Sequence, residues 1–247
     1  MERWRGKVVV VTGASSGIGA ALCVRLANLG LTVIGLARRE HLVQELSLKV
    51  TGDGKLHARQ CNVANNDEIK ETFQWVEDTF GGTDILVNNA GLYFDGSITD
   101  AGNSKLDDET ILSIMDVNFK GLVMCARQAV SSMVKRNFTG HVINISSLAA
   151  HYVPLNPNFN VYSATKHAVS TFTTALFNEF GSYKSKIKVT SVSPGLVNTG
   201  MAITNATPDT PILQPDEVVD AIVYIISTPP NVNITELVIQ PVSELRL

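Results

Sequence analysis

Short β-branched runs alternate with amphipathic stretches from one end of the chain to the other, and this switching of hydrophobic period most constrains the fold. Residues 7–12, 31–37, 55–62, 84–88, 141–145, 187–192 and 236–239 read as strands. Several are continuously apolar, the pattern of parallel strands covered on both faces. Between them, residues 18–29, 39–50, 67–80, 107–136, 161–183 and 215–227 carry helical periodicity. Asn66 and Asp67 offer a helix N-cap, and Pro215 followed by Asp216 and Glu217 marks a helix start. Strands alternating with helices require right-handed crossovers, so the expected fold is α/β, a doubly wound parallel sheet with helices on both faces. No repeat, linker or low-complexity stretch divides it, and one domain over residues 1–247 is expected.

Composition narrows the function classes. The 247 residues are 45% hydrophobic and only 17% charged, with a formal net charge of −3, which argues against disorder and against a dedicated nucleic-acid binder. Three scattered cysteines, Cys23, Cys61 and Cys125, form no zinc or disulfide pattern and fit a reducing compartment. The histidines have no metal-ligand spacing, so no metal is expected. No apolar run approaches membrane-spanning length, and residues 1–5 open on no secretory signal; the expectation is a cytoplasmic protein.

The first strand runs into Thr12-Gly13-Ala14-Ser15-Ser16-Gly17-Ile18-Gly19 and then directly into a helix. Unpaired N–H groups and the positive end of a helix dipole accept a pyrophosphate, and glycines would let the phosphates approach the backbone. A glycine-rich turn alone is weak evidence, but between the first strand and first helix of a βαβ pattern it favours nucleotide binding over a mere tight turn. The end of strand two selects the nucleotide. An acid there would bind the ribose 2′-hydroxyl of NAD, whereas this chain has Ala37 followed by Arg38 and Arg39. Two guanidinium groups at a helix start oppose the dipole if merely solvated, and clamp a 2′-phosphate if not; the cofactor expected is NADP(H), with Arg38 the surer contact.

Three further clusters follow strands four, five and six, where such sheets open their ligand crevice: Asn88-Asn89-Ala90-Gly91, Asn144-Ile145-Ser146-Ser147 and Pro194-Gly195-Leu196-Val197-Asn198-Thr199. Tyr162 and Lys166 lie four apart on a predicted helix, on one face. An alcohol that loses hydride must also lose a proton, and an ordinary phenol with a pKa near 10 is a poor base at neutral pH. A neighbouring ammonium and an oxidised nicotinamide both favour phenolate, so Tyr162 is expected to exchange the proton while Ser147 binds the substrate oxygen. A tyrosine and lysine at this spacing are ordinary on their own; they gain meaning from the strand-end serines and the glycine turn in the same chain.

Taken together and in order, TGASSGIG, NNAG, MDVNFKG, ISS, YSATK and PGLVNT resemble the short-chain dehydrogenase/reductase family, in its branch of about 250 residues, over essentially the whole chain. The resemblance implies a Rossmann-type sheet of about seven parallel strands in the order 3-2-1-4-5-6-7. It implies a catalytic set of Asn118, Ser147, Tyr162 and Lys166, with Ser146 as the fallback serine. Asn118 would interrupt its helix and hold a water linking Lys166 to solvent, and Lys166 would also bind the nicotinamide ribose. Val197 and Thr199 match positions at the nicotinamide carboxamide and neighbouring phosphate, and Asn88 a position near the adenosine ribose. Where the family commonly has Asp after strand three, this chain has Asn62 and Val63, which keeps hydrogen bonding and removes the charge. The full cofactor set expected is Gly13, Ser15, Ser16, Gly17, Ile18, Gly19, Arg38, Arg39, Asn62, Val63, Asn89, Ala90, Gly91, Tyr162, Lys166, Pro194, Gly195, Val197 and Thr199. The family also pairs its long helices, here 107–136 and 161–183, into homodimers or homotetramers, although core packing alone accounts for their apolar residues.

Substrate choice is expected in the loops that line the crevice. Tyr93, Leu148, Tyr152, Val153 and Met201 are the candidate contacts, with Phe159, Ala202 and Ile203 adding apolar surface. Segments 92–99, 148–161 and 196–215 contain no Lys or Arg, which disfavours a carboxylate, phosphate or carrier-bound acyl substrate. A lipophilic, uncharged alcohol or carbonyl compound is therefore expected, unless these residues merely pack a lid or a dimer contact. The opening MERWRGKVVVVTGASSGIGAAL and the GLARRE after strand two are similar to the insect NADP-dependent farnesol dehydrogenases, which oxidise prenyl alcohols on the route to juvenile hormone. They are similar also to mammalian cytosolic hydroxysteroid dehydrogenases; a hydroxysteroid, retinoid or general carbonyl reductase is the enzymatic alternative. A non-catalytic, nucleotide-dependent lipid-binding protein is the other.

Overall fold

The computed structural model describes residues 1–101, 105–201 and 210–244. Seven parallel strands form one sheet in the order β3-β2-β1-β4-β5-β6-β7, the order expected. They are β1 (Val8–Thr12), β2 (Thr32–Ala37), β3 (Lys55–Gln60), β4 (Ile85–Asn88), β5 (His141–Ile145), β6 (Lys188–Pro194) and β7 (Glu236–Ile239). Strand β6 runs two residues further than its apolar pattern predicted, because Ser193 and Pro194 still pair with Val238 and Ile239 of β7.

Alternate side chains of each central strand feed two separate cores, which is why these strands read as unbroken apolar runs. Val9, Val11, Ile85, Val87, Ile143 and Ile145 pack on one face with α1 (Gly17–Asn28) and α7 (Pro215–Ser227). Val8, Val10, Leu86 and Val142 pack on the other with α3 (Asn66–Phe80), α5 (Leu122–Lys135) and α6 (Asn160–Ser182). Helix α2 (Glu40–Ser47) adds Val43 to the first core. With apolar burial contributing roughly 25 cal/mol per Å² of surface removed from water, these two layers dominate the stability of the fold.

Local signals set the helix ends. The N-cap of α3 is Asn65, one residue before the position expected, since its Oδ1 accepts from the N–H groups of Asp67 and Glu68 at 3.0 and 3.3 Å. Helix α7 starts at Pro215, and the Glu217 carboxylate accepts from the Gln214 N–H at 2.6 Å. Its C-terminal carbonyls are met by cations and an indole. Trp4 Nε1 donates to Ile226 O at 2.8 Å, Arg3 to the same oxygen, and Lys188 Nζ to Thr228. The stretch 107–136 is not one helix. It comprises α4 (Asp108–Met115), a π-helical segment over Asp116–Gly121 and α5, so the helix is interrupted around Asn118.

Burial, with the nearby Arg3 guanidinium second, pulls the Lys188 ammonium from 10.5 down to about 8. The folded chain therefore carries a desolvation penalty below pH 8, and that penalty disappears as pH rises towards 10.5, where the unfolded chain still binds the proton. In urea unfolding of the wild type beside Lys188→Met, the wild type should gain stability on the variant between pH 8 and 10.5, with a constant difference below pH 7.

Candidate active site

The strands β1 and β4 lie side by side where the strand order reverses, and a crevice opens at their C-terminal ends. Thr12 Oγ1 accepts from the N–H groups of Asn89 and Ala90, both at 3.0 Å. Asn89 Nδ2 in turn donates to Thr12 O and Gly13 O at 3.0 and 3.2 Å. The four bonds join the end of β1 to the end of β4 and form the crevice floor.

The glycines of the turn are also required by the packing of the chain itself. A Cβ on Gly13, at φ +68°, would meet Ala90 Cα at 2.8 Å, and one on Gly17, at φ +55°, would meet Thr199 Cγ2 at 2.9 Å. A Cβ on Gly19 would collide with the Gly13 carbonyl and Asn89 Nδ2. The turn is packed against its own neighbours, and only glycine lets the backbone pass. Gly19 accordingly lies behind the crevice wall, whereas Gly13, Ser15, Ser16, Gly17 and Ile18 face the cavity. Ser16 is the N-cap of α1 without a side-chain cap, which leaves first-turn N–H groups directed at the crevice.

One continuous cavity of about 1140 Å³ runs from this turn to the serine and tyrosine. At one end lie Arg38 and Arg39, both exposed, with no carboxylate partner among the described residues. Asn62, Val63, Asn89, Ala90 and Gly91 continue the wall, and Asn62 Oδ1 accepts from the Ala64 N–H at 3.1 Å. Asn88 is not at the cavity. Its amide is buried, donating to Leu122 O and Asn144 Oδ1, so it ties β4 to β5 and α5. The backbone cradle that rejects Cβ atoms and the two unpartnered guanidinium groups fit a phosphorylated dinucleotide.

At the other end Ser147, Tyr162 and Lys166 converge. Ser147 stands at the end of β5 as the N-cap of a 3-10 turn (Leu148–Ala150), its Oγ accepting from Ala149 N–H at 3.1 Å. The Tyr162 hydroxyl is hydrogen-bonded to Ser147, and that bond lowers the phenol pKa; burial outweighs it, and the phenol lies above its ordinary value of 10. The lowering expected from Lys166 is not what governs this phenol. The Lys166 ammonium lies over the Tyr162 ring, 5.6 Å from its centroid, and donates to Ile145 O at 2.9 Å. Burial pulls that ammonium from 10.5 to about 8. Ser146, the fallback, turns the other way: its Oγ donates to Lys166 O and meets Ser170 Oγ, both at 3.1 Å, which fixes β5 to α6.

Asn118 is fully buried beside the cavity. Its Oδ1 accepts from Leu92 N–H at 2.7 Å, and its Nδ2 donates to Leu92 O and Thr165 Oγ1 at 2.9 and 3.2 Å. The side chain thus pins the segment after β4 to the helix that carries Tyr162. The last residue of β6, Pro194, and the loop that follows it, with Gly195, Val197 and Thr199, reach the cavity.

Of the residues expected at the substrate, Tyr93, Leu148, Tyr152 and Met201 line the cavity and Val153 does not. Around it the chain alternates: Tyr152, Pro154 and Asn156 face in, while Val153 and Leu155 are 68% and 91% exposed. Tyr93, Phe159 and Tyr162 form a closed aromatic triangle with centroid separations of 5.4, 5.5 and 6.3 Å. Ala202 and Ile203 lie outside the described residues. Glu244 was not foreseen. Its Oε1 accepts from Leu196 N–H at 2.9 Å, it lines the cavity, and its other oxygen occupies the place a Cβ on Gly195 would need. Burial raises this carboxyl above its ordinary value.

The wider comparisons agree with this geometry. The family model described as short chain dehydrogenase matches residues 7–209. The farnesol dehydrogenase of Aedes aegypti is 42% identical over 252 residues, covering 99% of both chains. Dehydrogenase/reductase SDR family member 11 of Mus musculus is 35% identical, covering 99% of this chain and 98% of its own. Among solved structures, the closed form of a serine dehydrogenase complexed with NADP+ superposes with a TM-score of 0.83 at 31% identity, over 96% of each chain. The chain belongs to the short-chain dehydrogenase family, and it is a nucleotide-dependent oxidoreductase of that family.

Proposed function

We propose that this protein is an NADP(H)-dependent enzyme that interconverts an alcohol and its carbonyl on a lipophilic, uncharged substrate, with a prenyl alcohol such as farnesol favoured. The observation that carries the reading is the continuity of one cavity from the unpartnered Arg38 and Arg39 to the Ser147–Tyr162–Lys166 cluster. Its far wall of Tyr93, Leu148, Tyr152, Phe159 and Met201 holds no formal charge, and the 42% identical relative is a farnesol dehydrogenase. A protein of this kind fits a homo-oligomer, since Leu112, Met115 and Phe177 leave apolar surface on α4 and α6.

A nicotinamide dinucleotide, when bound, supplies the hydride acceptor or donor. The chain supplies the proton and the geometry. Tyr162 Oη takes the hydroxyl proton of the alcohol in oxidation and returns one to the carbonyl oxygen in reduction. Ser147 Oγ holds that oxygen and, through its bond to Tyr162, counters part of the effect of burial on the phenol. Lys166 fixes the tyrosine face and remains bonded to Ile145 O. A phenol is protonated at neutral pH and burial raises this one further, so the free chain is set to donate, which favours reduction near neutrality and oxidation at alkaline pH.

An absorbance assay at the nicotinamide band, with farnesol, geraniol, retinol and steroid alcohols against NADP and NAD, tests the reading directly; no turnover of any would sink it. Tyr162→Phe should lower kcat by about 10²–10⁴-fold with the nucleotide Kd unchanged within about twofold, as removal of a general acid–base group does. Removing the hydrogen bond that lowers the phenol, in Ser147→Ala, should move the rising limb of kcat/KM for oxidation, which follows ionisation of Tyr162, to higher pH; an unmoved limb would contradict the assignment. Arg38→Ala should reduce the preference for NADP over NAD by about 10–100-fold, the loss expected of one charge-assisted hydrogen bond, while leaving NAD-linked activity in place.

A further inference from the structure

Asn160 begins α6 two residues before Tyr162, and its backbone is left-handed, at φ +34°, a conformation that a side chain disfavours. The side chain is partly buried and fully engaged. Its Nδ2 reaches Phe94 O at 2.9 Å, Gly96 O at 3.1 Å and Asn158 O at 2.6 Å, and its Oδ1 accepts from the Tyr162 N–H at 3.2 Å. Segment 93–96 has no other hydrogen bond to the rest of the chain among the described residues, since the Tyr93 hydroxyl turns back to Asp95. Leu92, just before it, is held by Asn118. The ring of Tyr93 stands edge-on to Tyr162, 5.4 Å between centroids, and faces Phe159, the residue before Asn160.

We infer that Asn160 is a positioning residue that fixes the Tyr93 wall of the cavity against Tyr162 and thereby sets how tightly the apolar part of the substrate is held. The inference rests on the alcohol/carbonyl reading above. One amide joins three things: the loop that carries Tyr93, the turn that carries Phe159 and the backbone of Tyr162. A strained backbone held by four polar contacts is over-determined, the state expected where a side chain's position matters more than local comfort. Asn118 and Asn160 thus divide the work on one loop, the first anchoring its root at Leu92 and the second its wall at Phe94 and Gly96.

Two variants separate the amide from the backbone. Asn160→Gly keeps the left-handed conformation without strain and deletes the side chain. Asn160→Asp keeps an acceptor for the Tyr162 N–H and turns an acceptor towards three carbonyl oxygens. Both should raise KM for farnesol about tenfold and leave kcat within about threefold, the pattern of lost uniform binding. One readout needs no turnover: the ¹⁹F resonance of fluorotyrosine at position 93, which should lose its shift from the Tyr162 ring. An unchanged resonance in both variants overturns the inference, as does a shifted resonance with KM unaltered, or a loss of kcat in step with nucleotide affinity. If the wild type turns over no alcohol, the functional reading falls on its own, and the fluorine result still decides whether Asn160 holds the wall.

Discussion

The hydrogen-bonded join between Thr12 and Asn89 is what the rest of the site depends on. Strands β1 and β4 must separate at this end of the sheet for a crevice to exist, and separated strands leave backbone groups without ladder partners. One hydroxyl and one amide satisfy four of them. The bonds also draw the glycine turn so close to Ala90 that no side chain fits at Gly13. The glycine pattern is therefore first a packing requirement and only through it a ligand-binding feature: the geometry that brings the turn against β4 is what leaves its N–H groups pointing outward.

Most of the charge along the crevice is cationic, with Glu244 a carboxylate on its wall. Among the described residues Arg38 and Arg39 stand without carboxylates at one end, and Lys166 is buried at the other, its ammonium bonded to Ile145 O. A cation kept dry and unpaired is unfavourable in the isolated chain, and burial brings Lys166 down to about 8 in consequence. Such an arrangement is retained where an anionic or electron-rich group completes it. The phenol is displaced in the opposite sense by the same burial, so the tyrosine holds its proton more tightly than usual while the lysine gives up its own more readily.

Much of the fold was legible because the signal is redundant: each central strand contributes to two cores, and seven such strands separated by helical periods leave one α/β arrangement. Tyr162, Lys166 and the glycine turn were legible because their spacing is local. What escaped was set by tertiary context. Nothing in 152–156 reveals that the chain is extended there with alternate residues facing out, so Val153 looked like a neighbour of Tyr152 when it points the other way. Asn65 and Asn66 are equivalent as letters, and only the backbone decides which one caps α3. Asn88 and Asn89 are likewise adjacent and identical, yet one is buried between strands and the other faces the crevice. Glu244 is distant in sequence from Gly195, and no local pattern could have paired them.

The π-helical turn over Asp116–Gly121 has a consequence for how the protein can change. A π turn holds one residue more than an α turn, so deleting a single position there would mend the helix and give its backbone better hydrogen bonds. The same deletion would rotate Asn118 away from Leu92 and release the root of the loop that carries Tyr93. In this stretch the more regular backbone and the intact crevice are mutually exclusive, and the irregularity persists as the form of the chain in which the crevice has a wall.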